Sequence, residues 1–135
     1  MTKPSSFDVA FTALVVASGR RRDASPAELV GAWGRFVAKC QVGYRGSASD
    51  YFNELTSRDS IEAALQSEQL SGYAEMADLE EQVAQIDARF RVLLRPDAFP
   101  RMAVEDWWTR GIVRFAGPKL VRELKQTYRV TIAEI

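Results

Sequence analysis

The polar side chains best able to do chemistry fall in one short stretch, Asp50-Tyr51-Phe52-Asn53-Glu54-Leu55-Thr56-Ser57-Arg58-Asp59-Ser60-Ile61-Glu62. Asp50 and Glu54 lie four residues apart, as do Arg58 and Glu62, so each pair would share one face of a helix. Hard cations prefer oxygen ligands, and the first pair could hold Mg²⁺. With Tyr51 and Arg58 beside it, the pair could also serve a carboxylate-based enzyme or a small-ligand site. A structural role is the simpler account. Acids four apart are common on helices, and Arg58 can pair with Glu54 or Glu62. Asn53 and Asp59 are suited to stitch two short helices by capping and side-chain bonds. On that account Asp50, Tyr51, Asn53, Glu54, Arg58 and Asp59 form a structural polar constellation, and no catalytic or metal-ligating residue is assigned.

Two other features could bind a partner. Arg20-Arg21-Arg22 is the densest charge run, and three arginines can contact phosphates or an acidic protein face. Its bland alternative is a cluster at a helix C-terminus leading into a solvated loop. No aromatic residue interleaves with it, which weakens a single-strand nucleic-acid role. Antiparallel packing of the first two helices would bring Arg35 closer to this run than Arg45. In Trp107-Trp108, adjacent helical side chains point about 100° apart. If Trp108 and Val104 face the core, Trp107 turns outward as a candidate interface anchor. Otherwise both tryptophans are core, with Trp107 under the 95–103 loop. The expected binding residues are therefore Arg20, Arg21, Arg22, Arg35 and Trp107.

Much chemistry is excluded by composition. The 135 residues contain no histidine and one cysteine, Cys40. A Ser-His-Asp or Cys-His nucleophile, a histidine metal ligand and a thiolate zinc site are all ruled out. No glycine-rich phosphate loop is present, and no cofactor is expected. Cys40 sits on an apolar helical stripe and reads as an inert buried thiol, and a lone cysteine suits a reducing, cytoplasmic setting. Basic and acidic residues balance at 18 each. They are unevenly placed: seven basic against three acidic in residues 1–46, four against eleven in 47–99, seven against four in 100–135. Either the segments neutralise one another on a small surface or they steer a charged partner. Val9 to Ala17 is too short to span a bilayer, and Asp8 before it and the arginines after it mark a mature helix rather than a signal segment.

The elements that must position these residues are helical. The spacing predicts a first helix from about Ser6 to Ser18, with Ser6 as N-cap and Gly19 ending it. Ser25-Pro26-Ala27-Glu28 is a capping box with proline at N1. Leu29, Trp33, Phe36, Val37, Cys40 and Tyr44 then recur at helical spacing, with Gly31 and Gly34 able to admit a close neighbour. Two short helices follow, opened by Ser47 or Ser49 and by Thr56 or Ser57. A long fifth helix, about Gly72 to Leu94, carries the stripe Met76, Leu79, Val83, Ile86, Phe90 and Leu93. A short sixth holds Val104, Trp107 and Trp108. Gly117-Pro118 restarts a seventh with Leu120, Val121, Leu124 and Tyr128 inward, and Val130, Thr131 and Ile132 favour an extended tail. The fold expected is an all-α, single-domain helical bundle of about six or seven helices over residues 1–135.

The stretch Phe36 to Glu62, with Gly43-Tyr44, Tyr51-Phe52-Asn53-Glu54-Leu55 and Arg58-Asp59, resembles small uncharacterised all-helical proteins of bacterial genomes. Asp87-Ala88-Arg89-Phe90 and Trp107-Trp108 are similar to their second half. The resemblance implies a fold neighbourhood; it brings no activity and no site residues. The residues themselves point to a small intracellular protein that binds a macromolecular partner, as an inhibitor, immunity-type protein or adaptor. The partner expected is a protein. Nucleic acid bound through the basic terminal segments is the alternative, and a carboxylate-based enzyme or small-ligand binder the third. No membrane association is expected, and the oligomeric state is left open.

Overall fold

A computed structural model describes residues 5–17, 24–99 and 106–135. The chain forms the expected helical domain: α1 (Ser6–Ala17), α2 (Pro26–Val42), α3 (Ala48–Glu54), α4 (Thr56–Leu65), α5 (Glu75–Arg91), α6 (Trp107–Arg110) and α7 (Pro118–Glu123). The serine arm of the capping box is formed. Ser25 Oγ accepts from the Glu28 backbone N–H at 3.2 Å, and Pro26 opens α2 where no N–H is needed. Ser47 caps α3 in the same way through the Asp50 N–H at 3.0 Å. The α1 cap differs by one residue from expectation: Ser5, not Ser6, accepts from the Asp8 N–H at 3.1 Å.

α2 is the central element. It buries Leu29, Trp33, Phe36, Val37 and Cys40, and α4, α5 and α1 pack around it. Phe90 of α5 meets Trp33 edge-on with ring centroids 5.1 Å apart and Phe36 at 5.6 Å. Phe36 in turn meets Tyr44 and Tyr51 at 5.5 and 5.3 Å. Offset and edge-to-face pairs of this kind add to the burial of large aromatic area. Gly34 faces α5 without an unusually close approach, since a Cβ there would meet Ile86 Cδ1 at 3.6 Å, an ordinary contact distance. Met76, Leu79, Val83 and Phe90 of the α5 stripe are buried, whereas Ile86 and Leu93 are only partly so. Among the described residues no helix is long and apolar enough to cross a membrane.

The C-terminal segment departs most from the helical pattern. Strands β1 (Leu94–Arg95) and β2 (Ile112–Val113) pair antiparallel, with Leu94 opposite Val113. Strands β3 (Phe115–Ala116) and β4 (Ala133–Glu134) pair parallel, with Phe115 opposite Ala133. The chain end then lies over Gly43, whose φ of 102° demands glycine and which the Ile135 side chain covers. After α7 the helix widens into a π-turn, Leu124–Tyr128, closed by Arg129 in the left-handed region at φ 56°. Leu120 and Leu124 stay buried. Tyr128, expected on the same inner face, is 41% exposed, because each residue of a π-turn advances less than in an α-helix and carries it off the stripe.

Phe90 joins the buried rings of Trp33 and Phe36, so Phe90→Ala should leave a cavity and cost about 3–5 kcal/mol. Chemical denaturation of parent and variant checks this; a loss below about 1 kcal/mol would mean that α5 does not depend on this contact.

Candidate functional site

The polar stretch from Asp50 to Glu62 does not assemble into one site. α3 ends at Leu55 and α4 begins at Thr56, with Thr56 Oγ1 donating to the Asn53 carbonyl at 2.7 Å. The break sends residues on either side of it to different places. Arg58 turns inward and is 4% exposed. Its Nε and one terminal nitrogen donate to the two Asp87 oxygens, both at 2.9 Å, and the other terminal nitrogen donates to Glu62 Oε1 at 3.0 Å. Trp33 Nε1–H adds a third donor to Asp87 at 3.0 Å. The guanidinium also lies 4.2 Å from the centre of the Trp108 ring. Burial works against the Arg58 charge, but hydrogen bonds and charge contact with Asp87, and then with Glu62, hold its pKa above the ordinary value. The pairing with Glu62 was one of the two expected. Asp87, 29 residues further on, is the partner that helical spacing could not reveal.

Asp59 reaches beyond the short helices. It accepts the Trp108 indole N–H at 2.8 Å and so ties α4 to α6. Asn53 is exposed, and the junction is made by its backbone carbonyl instead. Tyr51 is fully buried among aromatic rings; its hydroxyl lies near the Val113 backbone N–H without a hydrogen bond of normal geometry. Glu54 accepts from Lys39 at 3.0 Å and makes a short hydrogen bond with the Tyr44 hydroxyl. Asp50 stands exposed on the first turn of α3.

Asp50, Asn53 and Glu54, with Lys39, Tyr44 and Arg45, line an open cleft of about 480 Å³. Its charges alternate in sign, and Glu54, its innermost acid, is engaged by Lys39 and Tyr44. Among the described residues no group of three or more acidic or cysteine side chains is placed to hold a metal ion. Burial, then the bond to Glu54, pushes the Tyr44 phenol well above its ordinary range. Burial does the same to Tyr51 and to the fully buried Cys40 thiol.

The expected binding residues also part company. Arg20, Arg21 and Arg22 lie outside the described residues. Arg35 is exposed on α2. Trp107 is partly buried, packed between Phe90 and Trp108 and covered by the Arg91 guanidinium 3.8 Å from its ring centre. It is thus held by the protein itself rather than presented as an anchor. Comparison of the chain with protein-family models, curated proteins and solved structures finds no match.

Two outcomes are expected from this geometry. Asp87→Ala strands a buried cation and should cost about 3–5 kcal/mol, while the apolar double variant Arg58→Met/Asp87→Leu should recover most of it. Denaturant unfolding of the singles and the double gives the coupling. Cys40, Tyr44 and Tyr51 all bind their protons more tightly folded than unfolded. Stability from these groups is complete below about pH 7 and falls as pH rises through and beyond the ordinary thiol and phenol range. Phenolate absorbance from Tyr44 and Tyr51, and reaction of Cys40 with a thiol reagent, should therefore be withheld until the alkaline unfolding transition. Ready modification of Cys40 in the folded protein would contradict this.

Proposed function

We propose that this protein is a small cytoplasmic binding domain, of the inhibitor, immunity-type or adaptor kind, that recognises one protein partner by charge. The observation supporting this is the outer face of α5. From Asp59 to Ala88 the chain carries eight acidic residues and no lysine or arginine. α5 lays its apolar stripe on α2 and exposes Glu75, Asp78, Glu80 and Glu81. At about 100° per residue, Asp78 and Glu81 point away from that stripe. None of the four makes an ion pair with another described residue. Unneutralised acids on a rigid helix are a fixed field that speeds encounter with a basic surface and sets its orientation. The side chains that might have done chemistry are engaged internally, Arg58 by Asp87 and Glu62, and Glu54 by Lys39 and Tyr44.

A second reading, association with nucleic acid, is favoured by Lys119, Arg122, Lys125 and Arg129, all exposed on α7 and the turn that follows. Zero net charge and the acidic α5 weigh against it.

The test is affinity capture from the native host at rising salt, with the charge-reversed variant Asp78→Lys/Glu81→Lys beside the parent. The parent should retain a basic protein that salt releases, and the variant should lose it while melting within a few degrees of the parent. Retention of the same protein by the variant, or release of nucleic acid whose capture depends on Arg122 and Lys125, would overturn the proposal.

A further inference from the structure

Two rows of opposite charge stand on different helices of this chain. Asp78 and Glu81 of α5 are three residues apart and exposed, with Glu75 one such step before them. Lys119 and Arg122 of α7 are also three apart and exposed, and Lys125 and Arg129 extend that row over the π-turn. Three residues of α-helix advance about 4.5 Å, so neighbouring charges on α5 and on α7 share one spacing. Among the described residues no ion pair engages any of these side chains.

The fold keeps the two signs apart. α5 packs on α2, whereas α7 packs on α3 and on strands β3 and β4. The exposed neighbours are uncharged, Gln82 and Gln85 beside the acids and Gln126 and Thr127 beside the bases. Glu123, the one acid of α7, is only partly exposed and accepts the Ala48 backbone N–H at 2.8 Å. Each row is therefore a run of one sign on a packed helix.

A second copy of the chain offers each row its complement. Basic and acidic residues balance at 18 each, so two copies do not repel as wholes. Matching the acids of one copy to the bases of another pairs charges that the fold leaves exposed.

We propose that copies of this protein associate through these rows, the α5 acids of one against the α7 bases of the next. The contact joins unlike patches, so every copy carries both halves of it. Exposed ion pairs are individually weak and screened by salt, which makes the association reversible. The inference rests on the reading of α5 as a charged docking face and adds a consequence to it: a basic partner must displace a neighbouring copy. Association is measured on the chain alone, so it can fail while capture of a partner succeeds, and the reverse.

The test mixes the protein, purified free of nucleic acid, with a nitrogen-15-labelled batch and adds a zero-length carbodiimide. This reagent joins a lysine to a carboxylate only where the two touch. At about 0.01 M salt, covalent dimers should form in which Lys119 or Lys125 of one isotope is linked to Glu75, Asp78 or Glu81 of the other. Sedimentation should give a mean mass above the monomer that rises with protein concentration. At about 1 M salt, where the screening length falls to about 3 Å, both signs should vanish. Asp78→Lys/Glu81→Lys and Arg122→Glu/Lys125→Glu should each sediment as monomers. The chain bearing all four changes, with both rows reversed and its net charge restored, should associate again. Glu28→Lys/Glu68→Lys alters net charge as the first pair does but touches neither row, and it should retain the mixed-isotope links. All these positions are exposed, so each variant should melt within a few degrees of the parent. Absence of mixed-isotope links at low salt, links confined to other residues, a monomeric fourfold variant, or equal loss in the Glu28 and Glu68 control would overturn the proposal.

Discussion

One buried guanidinium constrains the rest of this fold. Removing the Arg58 charge from water costs several kcal/mol, and only closely placed carboxylates offset it. Those carboxylates come from α4 itself, through Glu62, and from α5, through Asp87. Asp87 also accepts from Trp33 of α2, and Arg58 covers Trp108 of α6. Four helices must therefore reach their places together for the charge to be tolerated. Apolar packing alone would leave the register of α5 on α2 loosely set, because the leucine, methionine and valine of its stripe can repack. A bidentate contact at 2.9 Å cannot slide by one turn and survive.

The same constraint decides which acids face outward. With Asp87 held on Arg58, the α5 helix is fixed about its own axis, and the direction of Asp78 and Glu81 follows from it. Rotation of the helix would bury charge at one end and strand Arg58 at the other. An exterior field built in this way has a definite geometry, as charge-guided recognition requires.

Local features of the fold were legible in the sequence because their causes are local. Ser25-Pro26 and Ser47 start helices through bonds three residues long, and Gly117-Pro118 starts α7 by geometry alone. The α5 stripe is visible because one continuous face repeats without glycine or proline. The two-residue strands were not legible, since a period of two cannot show in two residues and their pairing depends on distant partners. The π-turn left no mark, as Leu120, Val121, Leu124 and Tyr128 have perfect α-helical spacing. Arg91 covering Trp107 and Asp59 accepting from Trp108 are tertiary choices among many that spacing permits.

The polar stretch shows the limit of periodicity more sharply. Spacing by four links Asp50 to Glu54 and Glu54 to Arg58 only while one helix runs through all three. The change of helix at Leu55 breaks that chain of neighbours. Glu54 then turns to α2, where Lys39 and Tyr44 receive it, and Arg58 turns to α5. A single candidate site thus becomes two separate anchors that tie the short helices to the long ones. Asp59, one residue from Arg58, turns to α6 instead, because α4 cannot send adjacent side chains in the same direction. A buried ion pair and an indole-bound carboxylate at consecutive positions are two consequences of one helical step.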